Sequence, residues 1–318
     1  MDMAGFRDMG ARRFGRVNWL GLGALAKREI MRFLVVWTQT LAAPLVTAGL
    51  FLAVFTLAIG PMRGEVMGVS FVTFLAPGIL MMTVIQNAFA NTSSSIVISK
   101  VQGNIVDTLM PPLSGGELVL GYMAGGVVRG LMVGVVILAA EALVLGQGVA
   151  HPLWLLVFVT LGAALLSAIG IAAGILSNKF DQIAAITNFI VVPLSFLSGT
   201  FYSISALPPF MAALSQINPV FYLIDGARFG MIGQSDAAPW LGLAVVLATR
   251  SRLLLMRGAA MFAQAFVLVP VSFLLPTRPH LHSTWFLFAS GQAQKLVEDL
   301  GPDVDAHLFR SLAQRGCQ

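Results

Sequence analysis

Residues 33–60 read FLVVWTQTLAAPLVTAGLFLAVFTLAIG, 28 positions without a charged side chain. A helix needs about 20 apolar residues to cross the ~30 Å hydrocarbon layer of a bilayer. The run is continuous rather than alternating, which indicates a helix and argues against a strand of a membrane barrel. The rest of the chain agrees. Of its 318 residues 57% are hydrophobic and 10% charged, where soluble domains carry roughly 25% charged residues. The sequence therefore specifies an all-α polytopic membrane protein with about six transmembrane helices.

Further spans are expected at 69–91, 118–145, 153–176 and 184–203, with a sixth inside 239–275. Arg250, Arg252 and Arg257 interrupt that last run, and residues 276–318 form an atypical polar tail. The organisation expected is an N-terminal part (1–32) with an interfacial amphipathic helix at 17–32, a transmembrane domain (33–275), and the tail (276–318). Arg7, Arg12, Arg13, Arg16, Lys27, Arg28 and Arg32 precede the first span. Lys100 and Lys179 fall in loops on the same side, and Arg63 and Arg228 on the other. The positive-inside rule puts the N-terminus in the cytoplasm. Basic flanks of this kind are what membrane helices need, so no nucleic-acid partner is expected. The first apolar run begins too late and is too long for a cleaved signal sequence.

A polar interruption, VQGNIVDTLMPPLSGGELVLGY (101–122), follows the second span. Placed on a helix, Val101, Ile105 and Leu109 share one face and Asn104, Asp107 and Thr108 the other. About three turns cannot cross a bilayer. Pro111-Pro112 ends this helix. Ser114 and Glu117 then fit a capping box that opens the third span. The expected product is a short cytoplasmic helix joined stiffly to a membrane helix, its polar face open to a soluble partner or resting on headgroups.

Charges inside a span are functional candidates. Arg129 and Glu141 lie in the third run. Because that run is longer than a span requires, both can also snorkel or pair, with Arg129 reaching the inner surface or the inner mouth of a pathway. Gly121, Gly125, Gly126, Gly130 and Gly134 repeat the small-x-x-x-small spacing that lets a second helix approach. After the fifth span, SISALPPFMAALSQINPVFYLIDGARFGMIG holds two apolar pieces divided by Asn218-Pro219. Neither can span, so they suit a re-entrant pair on the outer side. Tyr202, Pro208, Asn218, Pro219, Asp225 and Arg228 mark this segment. No catalytic constellation is present. His151, His280, His282 and His307 are scattered and Cys317 stands alone, so neither a metal site nor an intrachain disulfide is expected.

Several stretches, taken in order, resemble the permease subunit of ABC-2 type exporters: LAKREIMRFL, WTQTLAAPLV, FLAPGILMMTVIQNAF, SKVQGNIVDTLMPPLSGGELVLGYM, FIVVPLSFLSGTFYSISALPP and INPVFYLIDGARFGMIG. The similarity covers roughly 20–248 and departs from the family pattern after Thr249. It implies a bacterial inner-membrane permease subunit that exports an amphiphilic, lipid-linked or glycan substrate. It also implies that 101–110 is the coupling helix, so that Gln102, Asn104, Asp107 and Thr108 meet an ATP-binding subunit. ATP and Mg would belong to that partner, since G-x-x-x-x-G-K-[ST] is missing from this chain. A homodimer, or a heterodimer with a second permease, would enclose the pathway. An ion-gradient-driven carrier and a non-transporting scaffold are the alternatives.

Overall fold

A computed structural model describes residues 17–249 apart from 59, 205 and 206. Residues 1–16, the part of the expected sixth span after Thr249 and the expected tail 276–318 lie outside the described residues, with His280, His282, His307 and Cys317. Among the described residues the fold is helical except for one small hairpin.

Helix α1 (Trp19–Leu34) buries Leu25, Glu29 and Phe33, one line at helical spacing. A short break at Val35-Val36 separates it from α2 (Trp37–Ala58). The one-turn α3 (Gly60–Arg63) leads into β1 (Glu65–Val66) and β2 (Val69–Ser70), paired antiparallel. Met67 and Gly68 both have positive φ at the hairpin turn, 54° and 76°, as a two-residue turn of the primed kind requires. Ser70 then caps α4 (Phe71–Val101) by accepting from the Thr73 amide.

After a turn comes α5 (Ile105–Leu109), followed by α6 (Gly115–Leu145) and α7 (Pro152–Leu176). The next stretch is broken into α8 (Phe180–Ile186), a π-turn (Thr187–Val191) and α9 (Val192–Phe196). Helices α10 (Pro209–Ile217) and α11 (Pro219–Ile232) follow, then α12 (Pro239–Thr249). Four helices, α2, α4, α6 and α7, are long and apolar enough to cross a membrane. The shorter apolar segments Phe180–Phe196 and Pro239–Thr249 stand where the fifth and sixth spans are expected.

Helices α4 and α7 form the buried centre, with α6 and α11 against them. Phe74, Leu75, Met81, Ile85, Phe89, Phe158, Leu165, Leu223 and Ile224 make its core. Helix α2 buries only Thr40, Pro44 and Ala48. Two helices that lie in lipid gain little from hydrophobicity on meeting, so close packing must hold them. Glycine provides it here. On α6, a side chain at Gly121 or Gly125 would strike Leu25 or Glu29 of α1. One at Gly126 or Gly134 would press on α4, and one at Gly126 or Gly130 on α7. The glycine run thus lies against α1 on one face and against α4 and α7 on another.

Pro77 and Gly78 do not interrupt α4. Glycine at 78 has a packing reason: a Cβ there would lie 2.6 Å from the Thr200 carbonyl oxygen. The backbone after α9 crosses α4 at that point.

Candidate functional site

The segment after α4 is built differently from expectation. Helix α4 continues to Val101, and Gly103, with φ of 75°, turns the chain. The helix that follows has five residues, not three turns. Gln102 and Asn104 therefore lie outside it, as the cap positions of α4 and α5. The buried side is Ile105 and Thr108, while Val101, Gln102, Asn104, Val106, Asp107 and Met110 are exposed. Thr108 is thus a correction, since it was expected on the open polar face. Its Oγ1 accepts from Arg28 Nη1 at 2.8 Å, which draws it inward. Gln102, Asn104 and Asp107 remain open to solvent or a partner.

The capping box forms as the sequence indicates, with Ser114 and Glu117 bonded reciprocally. Glu117 does more than close α6. Its Oε1 also accepts from the Asn18 amide at 2.5 Å, so one carboxylate sits at the positive ends of both α1 and α6.

Arg28 starts a network that the sequence reading missed. It donates to Tyr122 Oη at 3.2 Å and pairs with Glu29 Oε1 at 3.1 Å. Glu29, fully buried, also pairs with Arg32 Nε at 3.4 Å. Arg32 Nη2 in turn donates to Asn91 of α4, to the carbonyl at 2.8 Å and to Oδ1 at 3.1 Å. Polar contacts therefore run from α5 through α1 to α4. The signal in the sequence was a carboxylate on an apolar stripe, Leu25-Glu29-Phe33. In the last turn of α4, Lys100 Nζ donates to the carbonyls of Ile175 and Ser177, where the end of α7 leaves acceptors free.

One turn from Asn91 along α4, Asn87 accepts from Arg129 Nη2 at 3.2 Å. Both line a cavity of about 600 Å³ between α2 and α4, with Gln39, Thr40 and Thr47 from α2 and Thr83, Gln86 and Ser94 from α4. Pro44, Phe51, Ile79, Met82 and Phe201 supply its apolar wall. Arg129 lies half-buried in this cavity, facing its polar lining. The glutamines, read as part of apolar spans, were not singled out from the sequence.

Glu141 departs from the snorkelling expected of it. It is 4% exposed and lines an apolar groove of about 350 Å³ on the opposite face of α2, beside Ala48, Leu52 and Thr56. Its Oε2 is buried without a hydrogen-bond partner. Such burial costs about 1–3 kcal/mol by mutational measures. Glu141→Leu is accordingly expected to raise the thermal unfolding midpoint of the purified protein. An unchanged or lower midpoint would show that the carboxyl is compensated.

At the other end of α4, the expected re-entrant pair is a packed clasp. Asn218 caps α11 by accepting from the Val220 amide, with Pro219 as its first residue, and its Nδ2 donates to Leu194 O and Ser198 Oγ. Arg228 is fully buried, 3.6 Å from both Asp225 and Asp236, and donates to Gly199 O at 2.6 Å. Its guanidinium lies 4.1 Å from the Phe74 ring centroid. Asp225 accepts from the amides of Asp236 and Ala237 at 2.8 and 2.9 Å. Tyr202 is partly exposed, and Pro208 is exposed at the start of α10.

Residues 21–232 match the ABC-2 type transporter family. The chain belongs to that family. The ABC-2 match starts within α1 and ends with α11, so it takes in the Arg28–Glu29–Arg32 network, the cavity and Arg228 with Asp225, while Asn18 and Asp236 lie outside it. The chain is also similar to the inner membrane transport permease YadH of Escherichia coli K12, 38% identical over 218 residues, which cover 69% of this chain and 85% of the relative. It is 26% identical to nodulation protein J of Rhizobium leguminosarum bv. viciae over 238 residues, 73% of this chain and 89% of that one. As an ABC-2 chain it is a transport permease, the membrane component of a transporter that works with an ATP-binding subunit. Among the described residues no group of His, Cys, Asp and Glu could hold a metal ion.

Proposed function

We propose that this chain forms the translocation pathway of an ATP-driven exporter in the bacterial inner membrane, with its N-terminus in the cytoplasm. The substrate class that fits is an amphiphilic, lipid-linked or glycan compound. Two permeases, identical or similar, enclose the pathway. ATP and Mg are bound and hydrolysed in the separate subunits, and this chain carries out no catalysis. The observation that carries the reading is the polar path from α5 to the cavity. Thr108 touches Arg28, Arg28 and Arg32 share Glu29, and Arg32 holds Asn91, one turn from the Asn87–Arg129 pair. Movement of α5 by a docked ATPase would therefore reach the cavity through bonds rather than through lipid.

Charge reversal at Asp107, which is exposed and outside that path, tests the docking face. Asp107→Lys, combined with Val106→Glu, is expected to abolish co-purification of the ATP-binding subunit and ATP-dependent transport. The permease itself should still accumulate in the membrane. Retained assembly and transport would overturn the assignment. Orientation is read separately. In a Cys317→Ser background, Asn104→Cys should react with an impermeant maleimide only after the membrane is opened.

An ion-gradient-driven carrier is the second reading. Glu141 motivates it, as a buried carboxyl without a partner. Collapse of the proton gradient with ATP maintained should stop transport under that reading and spare it under the first.

A further inference from the structure

We infer that the cavity between α2 and α4 takes the acidic headgroup of an amphiphile, with Arg129 as its counter-ion. This deepens the proposed function and rests on it for the direction of transport, but not for binding. Charge comes first. No Asp or Glu lines the cavity, and Arg129 has no carboxylate within ion-pair distance among the described residues. Arg32, the like charge that acts on Arg129, brings no surplus of acid, since it shares the one carboxylate of Glu29 with Arg28.

Hydrogen bonding points the same way. Arg129 Nη2 has a neutral acceptor, Asn87 Oδ1, while its Nε is buried without a partner. Gln86 Nε2, in the same lining, is buried and unpartnered too. Unused donors beside a guanidinium fork suit an oxyanion, which can accept two parallel bonds from arginine.

Shape supplies the second half of the ligand. The cavity volume of about 600 Å³ is in the range of small-molecule sites. Its lining is polarised along α2. Gln39 and Thr40 lie towards the start of the helix, and Phe51 lies three turns on, 6.0 Å from the Phe201 ring. An acidic head at Arg129 would leave its tail against Pro44, Phe51 and Phe201.

The test uses the full chain in phosphatidylcholine nanodiscs and ³²P-labelled dodecyl phosphate, with binding to empty nanodiscs subtracted. Saturable binding is expected, weakened about tenfold or more by Arg129→Gln, the loss of one charged fork. Arg129→Gln can keep a bond to Asn87, and its elution profile and melting midpoint should match the parent. A second variant, Thr47→Trp, fills the cavity without touching Arg129 and should also block binding. Glu141→Gln, across α2, should not. Dodecyltrimethylammonium should fail to compete, and inorganic phosphate should compete only weakly. Equal competition by the cation, or unchanged binding by both Arg129→Gln and Thr47→Trp, would overturn the inference. Inorganic phosphate binding as well as dodecyl phosphate would overturn the amphiphile. Because binding is read without the ATPase, a failure of ATP-driven transport with binding intact would fall on the proposed function alone.

Discussion

Arg228→Met is expected to remove most of the folded protein. Arg228 has no exposed surface and lies 3.6 Å from each of two carboxylates, Asp225 and Asp236. Methionine fills much of the space but leaves both acids without a cation. It also strands the Gly199 carbonyl and removes the charge that lies over Phe74. Breaking a buried pair from one side costs about 3–5 kcal/mol, because the other charge stays buried. Domain stabilities are roughly 5–15 kcal/mol, so a loss of this size should broaden or empty the monodisperse elution peak and lower the melting midpoint sharply. Arg228→Lys keeps the charge but not the fork, so an intermediate loss is expected. Removing an acid as well should help. The double variant Arg228→Met with Asp225→Asn is expected to be more stable than Arg228→Met alone, a non-additivity proper to groups in one network. A single variant as stable as the parent, or a double variant worse than the sum of its parts, would show that the clasp is held by packing rather than by charge.

The clasp also shows where sequence reading succeeds and where it stops. Asn218-Pro219 identified the break between α10 and α11, because a side-chain cap followed by proline is a local signal. Asp225 and Arg228 could be picked out as charges in an apolar segment, but nothing local linked them to Asp236, Gly199 or Phe74. The first four spans were legible from apolar length alone, with boundaries displaced where helices outrun the membrane, whereas the described helices at the expected fifth and sixth are shorter than a span. Helix α4, at 31 residues, is ~46 Å long and takes in Val101, which the amphipathic reading had given to the next helix. For the same reason Thr108 was placed on the wrong face. Its environment is decided by Arg28, 80 residues earlier, and no periodicity reports that. The capping box was found because its two partners lie three residues apart. Glu117's third bond, to Asn18, was not. The cavity was hidden by the composition of its walls. Gln39, Gln86 and Asn87 are a few polar residues set in apolar runs, and only the packing of α2 on α4 gathers them around Arg129.

Gly170→Leu is the other change with a large expected effect, and it lies on a seam that the sequence did not single out. Gly162, Gly170 and Gly174 of α7 face α4. At Gly170 a Cβ would lie 2.6 Å from the Phe89 carbonyl oxygen and 3.2 Å from its Cα, and would also strike Thr92 Oγ1. The first two are backbone atoms and cannot swing aside. The two central helices would have to separate. That would break the bond from Thr92 Oγ1 to Ser167 O, 3.0 Å, and loosen the packing of Phe89, Leu165 and Leu166. Overpacking of a tight core costs about 1–3 kcal/mol and more where the backbone must move, and lipid offers no hydrophobic gain to offset it. The expected result is a variant that reaches the membrane poorly and melts well below the parent. Gly23→Ala provides the contrast. Gly23 lies inside α1 with nothing within 4 Å of a Cβ, and alanine there should raise stability by up to about 1 kcal/mol through helix propensity. If Gly170→Leu melted with the parent while Gly23→Ala did not differ from it either, glycine would not be what sets the distance between α4 and α7. The seam would then owe its closeness to the side chains around it.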